Sequence, residues 1–361
     1  MSAHEIIIWV MAAFAVLGAL DRIIGNKFGL GKEFEEGILA MGSLAIAMIG
    51  IITLAPVLAA VLKPVIVPVF RFLGADPAMF AGTILACDMG GGALAQQLTT
   101  DPQAAALGGV LVGSMLGATI VFTLPVAMGI LREQDRPAMA KGILCGIVTI
   151  PVGVLVGGLV AGFPIGMVLR NLIPIVLIAA FIALGLWKAE KLMITGFSIF
   201  GRLIIALITA GLGAAIVEGL TGFAIIPGMA PIENGFATVG EIAIVLAGAF
   251  PLVFVLTKLL KKPLLGLGWL LGINDTAAAG LIASLANSIA TFGLVKDMDN
   301  RGKVVNIAFA VSAAFVFGDH LGFTAGFAPE MLPAMIAGKL AGGISAIGVA
   351  LLLTRKDSVK R

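Results

Sequence analysis

Apolar residues fall along this chain in long runs, not in alternation. Runs near the roughly 20 residues that a helix needs to cross a bilayer core cover 5–25, 36–62, 77–98, 103–130, 137–162, 169–187, 199–221, 235–260, 275–295, 304–328 and 333–354. Two shorter apolar pieces, 64–74 and 263–272, cannot span. Each precedes a polar-tinged segment and is separated from it by a turn-like pair, Ala75-Asp76 or Ile273-Asn274. No ten-residue stretch alternates apolar with polar, which excludes a membrane barrel. The pattern predicts an all-α polytopic membrane protein.

The pattern also recurs. Shifting the chain by 198 positions lays Glu35 on Glu233, Gly37 on Gly235, Gly42 on Gly240, Ala45 on Ala243 and Gly50 on Gly248. The register continues through Leu73-Gly74 on Leu271-Gly272 and Ala81-Gly82 on Ala279-Gly280. A shift of 196 aligns Pro137-Ala138-Met139 with Pro333-Ala334-Met335. The ordered matches at a near-constant offset predict a duplication. The expected organisation is a first membrane repeat over 1–168, a linking helix with an inner loop over 169–198, and a second repeat over 199–361.

Composition narrows the class. The residues AVILMFWYC make up 60% of the 361 positions, and 48 glycines raise that share to about 73%, against roughly 45–50% in soluble domains. Charged residues are 12%. Too little polar surface remains for a soluble domain, and disorder or a disulfide-rich scaffold is excluded. Cys87 and Cys145 lie inside apolar runs and read as small buried hydrophobes. Met1 to Glu5 lead straight into an apolar run, so the first span is expected to be its own membrane address, without a cleaved signal.

Lysine and arginine positions orient the halves. With 64–98 and 263–295 as re-entrant hairpins and the N-terminus outside, all of the 23 basic residues but Lys63, Arg71, Arg170 and Lys339 fall in inner loops. The inner clusters include Lys258/Lys261/Lys262 and Arg355/Lys356/Lys360/Arg361. This arrangement has nine spans and two hairpins, places the C-terminus inside, and inverts the second half. Inverted repeats with broken or re-entrant helices characterise secondary transporters, whose sites lie near the midplane.

Ionisable groups at membrane depth are functional candidates. Asp88 lies in ACDMGGGALAQQL, followed by Gly90-Gly91-Gly92, which weaken a helix; Gln96 and Gln97 mark the end of that segment. The corresponding segment SLANSIATFG carries Asn287 and Ser288 one and two positions beyond Ala286, on which the 198-residue shift lays Asp88. An acid in one half and an amide in the other suit a ligand with one cationic end and one hydrogen-bonding end; helix packing through small polar residues is the alternative. Asp319-His320 interrupt the apolar stretch FGDHLGFTAGF and could bind substrate, carry a proton or pair with other helices. Glu35, Glu36, Glu218 and Glu233 lie near span ends, as gate or vestibule groups or as acids stabilising helix starts. No GxSxG, HExxH or Walker loop occurs, so an enzyme is not expected. Trp9, Trp187 and Trp269 suit the membrane interface.

At these motifs the chain resembles the bacterial ethanolamine-utilisation permeases, also called ethanolamine transporters. The resemblance is carried by FEEGILAMG (34–42), APVLA (55–59), FAGTILACDMGG (80–91), IVFTLPVAMGI (120–130), GIVTIPVG (146–153), DMDNRGKVVNIAFAVSAAFVFGDHLGF (297–323) and GKLAGGISAIGVA (338–350). It implies passage of ethanolamine across the bacterial inner membrane. Asp88, Asp319 and His320 fall within the matched stretches. A primary amine is protonated near neutral pH and needs an anionic partner once it leaves water. Asp88 or Asp319 would pair its ammonium, and Asn287 or His320 its hydroxyl. A facilitator working by alternating access is expected first, with proton or cation coupling through Asp319 or His320, or another small amine or organic solute, as alternatives. The expected partners are ethanolamine and the lipid bilayer, with self-association left open; no nucleic acid, cofactor or metal is expected.

Overall fold

The computed structural model describes residues 2–355, without the side chains of 260–265, 267 and 269. Lys261, Lys262 and Trp269, and the basic tail Lys356, Lys360 and Arg361, therefore lie outside the described residues. All regular elements among the described residues are helical. Among the described residues eight helices are long and apolar enough to cross a membrane, as expected of a chain this apolar, which can satisfy its backbone in lipid only within helices or a closed barrel.

The first half opens with α1 (Ala3–Ile23) and the long α2 (Leu30–Phe72). The short helices α3 (Ala78–Ile84) and α4 (Gly91–Leu98) follow. A continuous span then runs from α5 (Pro102–Ala106) to α6 (Leu124–Ile130), widened into π-helical turns over Leu107–Gly117 and Thr119–Thr123. The half closes with α7 (Arg136–Ile147) and α8 (Ile150–Val160). After α9 (Ile165–Lys188), a similar order returns with α10 (Glu190–Thr221), the long α11 (Ile232–Leu271), and the short pair α12 (Asp275–Ala286) and α13 (Ser288–Leu294). The chain ends with α14 (Asn300–Ala313), α15 (Asp319–Phe327) and α16 (Leu332–Leu353).

Two expectations are corrected. The pieces 64–74 and 263–272 are not separate helices but the ends of α2 and α11. Pro56, Pro64 and Pro68 sit inside α2 without ending it, as neighbouring helices permit in membrane proteins. The run 304–328 is not one continuous helix either: it breaks between Ala313 and Asp319, so among the described residues eight of the nine expected spans are continuous helices.

Glycine sets the closest approaches. A Cβ on Gly37 would lie 2.5 Å from the Leu246 carbonyl oxygen, and one on Gly235 would lie 2.9 Å from the Ile49 side chain. Position 37 thus meets 246–247 while 49 meets 235, so α2 and α11 run antiparallel. Gly37 and Gly235 are partners in the 198-residue shift, so α2 and α11 make the same contact on each other at corresponding positions. Gly50 likewise lies on the Ile208 backbone of α10, and its partner Gly248 on the Met11 backbone of α1.

Helix caps repeat too. Asp76 Oδ1 accepts from Ala78 N at 2.8 Å and Asn274 Oδ1 from Ala277 N at 2.9 Å, each heading one short pair. Asp101 caps α5 and Asp299 caps α14. A buried ion pair, Lys303 Nζ to Asp135 Oδ1 at 2.6 Å, fastens the second half to the first.

Candidate functional site

Three interruptions of helix come together in the interior. In the first, Leu85 and Ala86 turn extended, Cys87–Met89 form one tight turn, and Gly90 takes a φ of 93°. The Ile51 side chain occupies the place a Cβ on Gly90 would need, so glycine is required there by both conformation and space. In the second, Asn287 is extended between α12 and α13. In the third, Phe315 takes a φ of 63°. The second and third are joined by backbone bonds: Phe315 N donates to Ser284 O at 3.1 Å, and Phe317 N to Leu285 O at 2.9 Å. Unwound segments at depth satisfy one another in this way rather than facing lipid.

The candidate side chains sit at these breaks. Asp88 lies in the tight turn, with His320 Nε2 3.9 Å from its Oδ1. That gap is too long for a hydrogen bond, and His320 Nδ1 also has no hydrogen-bond partner. The Phe315 ring lies 5.2 Å from the His320 ring and 5.5 Å from Phe122. Asp319 begins α15, and its charge reaches Asp88. Asn287 Oδ1 accepts from Ile289 N at 2.7 Å, so this side chain caps α13. Ser288, beside it, is buried and its hydroxyl has no hydrogen-bond partner.

Two cavities flank this layer. One of about 550 Å³ is lined by Asp319, Asn287, Phe317, Phe254, Lys258 and Glu33, among others. The other, about 170 Å³, is lined by Cys87, Gly90, Gln96, Gln97, Asn234 and Phe323, with Met48 to Pro56 of α2. Along α2, Glu33 and Ile52 are separated by about 28 Å at 1.5 Å per residue, so the cavities lie toward opposite ends of the α2–α11 pair. Their walls correspond under the 198-residue shift: Ile52, Ala55 and Pro56 fall on Phe250, Val253 and Phe254.

The other predicted acids lie elsewhere. Glu35 pairs with Arg22 at 3.2 Å on the surface, and Glu36 and Glu233 are exposed. Glu218 is near the end of α10, its carbonyl accepting from Gly222 N. None of the four lines either cavity; their neighbours Glu33 and Asn234 do. Lys63, Arg71 and Arg170, expected outside, share the wall of one further cavity of about 580 Å³ with Asp76 and Asp101.

Sequence reading passed over Lys339 as a site residue, although a lysine inside an apolar span is itself a signal. It is buried, and its ammonium donates to Ser114 O at 2.6 Å. Cys87 Sγ, an Asp88 oxygen and a His320 ring nitrogen lie within 4.8 Å of one another, a donor set of the kind that holds a divalent metal. The nearby Lys339 charge, which reaches both Cys87 and Asp88, opposes a metal cation there.

Eight apolar helices around an interior polar layer define a multi-pass membrane protein. The profile of the family described as Ethanolamine utilisation protein, EutH, matches residues 3–353, and the chain belongs to that family. It is 59% identical over 356 residues to the probable ethanolamine permease EutH of Listeria monocytogenes, covering 99% of this chain and 95% of that protein. It is 48% identical over 395 residues to the probable ethanolamine permease EutH of Salmonella typhimurium, covering 99% and 97%. A Bacillus subtilis relative, 51% identical over 361 residues and covering 100% and 98%, is named only as an uncharacterized protein, YxeR. The relatives with functional names are thus named as permeases, not enzymes. No solved structure matches the chain.

Proposed function

We propose that this protein carries ethanolamine across the bacterial cytoplasmic membrane by facilitated diffusion, through alternating access to a site at the three helix interruptions. The permease names of its relatives support the substrate. The observation that carries the mechanism is the pair of cavities toward opposite ends of α2 and α11, whose walls on these helices correspond under the 198-residue shift, with the Asp88–His320–Asp319 layer beside both. The halves are read as inverted copies, supported by the reciprocal Gly37 and Gly235 contacts on antiparallel helices. The N-terminus is assigned to the outside and the C-terminus to the inside, supported by the basic inner loops.

In this reading the ammonium enters the larger cavity and pairs with the Asp319 carboxylate, since an unpaired cation in a low dielectric is prohibitive. The amide of Asn287, in the same wall, meets the hydroxyl. Asp88 and His320 receive the substrate as the cavities exchange access, its polar end filling the gap between them. Glu35, Glu36, Glu218 and Glu233 are left as outlying vestibule charges. The experiment is uptake of labelled ethanolamine into proteoliposomes by D88N and D319N. Loss in both is expected; wild-type transport in both would remove these carboxylates from the site.

A further inference from the structure

Lys339 has no part in the transport cycle described above, yet burying an amine at membrane depth is costly. We propose that Lys339 sets the charge of the cargo: by cancelling Asp88 it leaves Asp319 as the unbalanced carboxylate of the layer between the two cavities, so the site takes a monovalent cation and refuses a divalent one. The inference rests on the transport reading and deepens it by naming the charge class of the substrate.

The geometry places Lys339 behind the Asp88 turn. Its side chain is fully enclosed and reaches Ser114 O at 2.6 Å. Ser114 follows Gly113, and a Cβ on Gly113 would come within 3.0 Å of the Cys87 backbone nitrogen. The segment holding the ammonium therefore lies directly on the turn that carries Asp88. No carboxylate comes within 4.0 Å of Lys339 among the described residues, but its charge acts on Asp88. Lys339 lines neither cavity, so arriving cargo does not displace it.

Charge balance then fixes what can enter. Asp88 and Lys339 contribute no net charge, whether the proton rests on the amine or is passed to the carboxylate. Glu33 and Lys258, both in the wall of the larger cavity, carry opposite charges that sum to zero. What remains is Asp319. A monovalent ammonium brings the interior to neutrality, whereas a dication leaves one positive charge in a medium that penalises it. Removing Lys339 adds one negative charge, which favours a dication.

The test compares uptake of labelled ethanolamine and labelled 1,3-diaminopropane, a dication near pH 7, by the full-length protein in proteoliposomes. Wild type and K339R should prefer ethanolamine. K339M should shift the ratio toward the diamine by about tenfold or more, the scale set by one uncompensated charge in the interior. K339Q, which also removes the charge but keeps a polar side chain, should shift the ratio the same way. An unchanged ratio in K339M overturns the proposal. If K339M does not fold, an unchanged ratio in a folded K339Q overturns it instead. If wild type carries neither amine, the transport reading fails, and this proposal fails with it.

Discussion

The Asp135–Lys303 pair offers a direct test of how the halves are held. Nζ and Oδ1 are 2.6 Å apart, and the side chains are 12% and 1% exposed for Lys303 and Asp135. At an effective dielectric near 20, opposite charges at that distance attract by about 6 kcal/mol before desolvation is counted. Desolvation of both ions cancels much of this, so the quantity to predict is the cost of removing one partner, about 3–5 kcal/mol for a buried pair. The two single variants should differ. K303M strands a carboxylate that is almost wholly enclosed and whose Oδ2 already has no hydrogen-bond partner, so it should fall at the upper end of that range. D135N leaves an amine that can still reach water along its longer stem, and should fall at the lower end. The double variant D135N/K303M strands no charge and should cost less than the sum by at least about 2 kcal/mol. Denaturant unfolding of detergent-purified protein, followed by helical circular dichroism, measures all four chains. Losses that add to within about 0.5 kcal/mol would refute the reasoning, since the residues would then not act as a pair.

Cys87 and Cys145 are both buried, but Cys87 lines the smaller cavity whereas Cys145 lines neither cavity considered above. The cationic thiol reagent 2-aminoethyl methanethiosulfonate should therefore modify Cys87 and stop uptake, ethanolamine should slow the reaction, and C87A should be resistant; mass spectrometry of the labelled peptide identifies the site. Asn287 separates capping from binding: N287A should lose about 1 kcal/mol of stability through its cap, whereas N287S retains the cap, so a raised KM for ethanolamine in a stable N287S would mark the lost amide contact.

Much of the architecture was legible because spans are set by runs of apolar residues and breaks by glycine. Gly90-Gly91-Gly92 announced the unwound turn at Asp88, and the Asp76 and Asn274 pairs announced the starts of the short helices. The break at Ala314–Gly318 was not legible. VSAAFVFGDHLGF is apolar almost throughout, and only Gly318 hinted at an interruption. What holds that segment open is its pairing with Ser284 and Leu285, some thirty residues away in sequence, which no local pattern encodes. The joining of 64–74 to α2 was missed for the opposite reason, because prolines that end soluble helices are tolerated here. The acids Glu35 and Glu36 drew attention as charges near a span start, but one turn of helix decides which acid faces inward, and Glu33 lines the cavity.

The length of α2 has a mechanical consequence. Its 43 residues extend about 64 Å, roughly twice the hydrocarbon thickness, so it cannot stand upright and straight within a bilayer. Pro56, Pro64 and Pro68 crowd its final part, where each withdraws a backbone hydrogen bond and invites flexure. That limb ends five residues before α3, and α11 ends three residues before α12. Each long rod is thus joined by a short link to one short helix that ends at an unwound segment, and a change in bilayer thickness that alters its tilt would pass through that helix to the turn bearing Asp88 or Asn287.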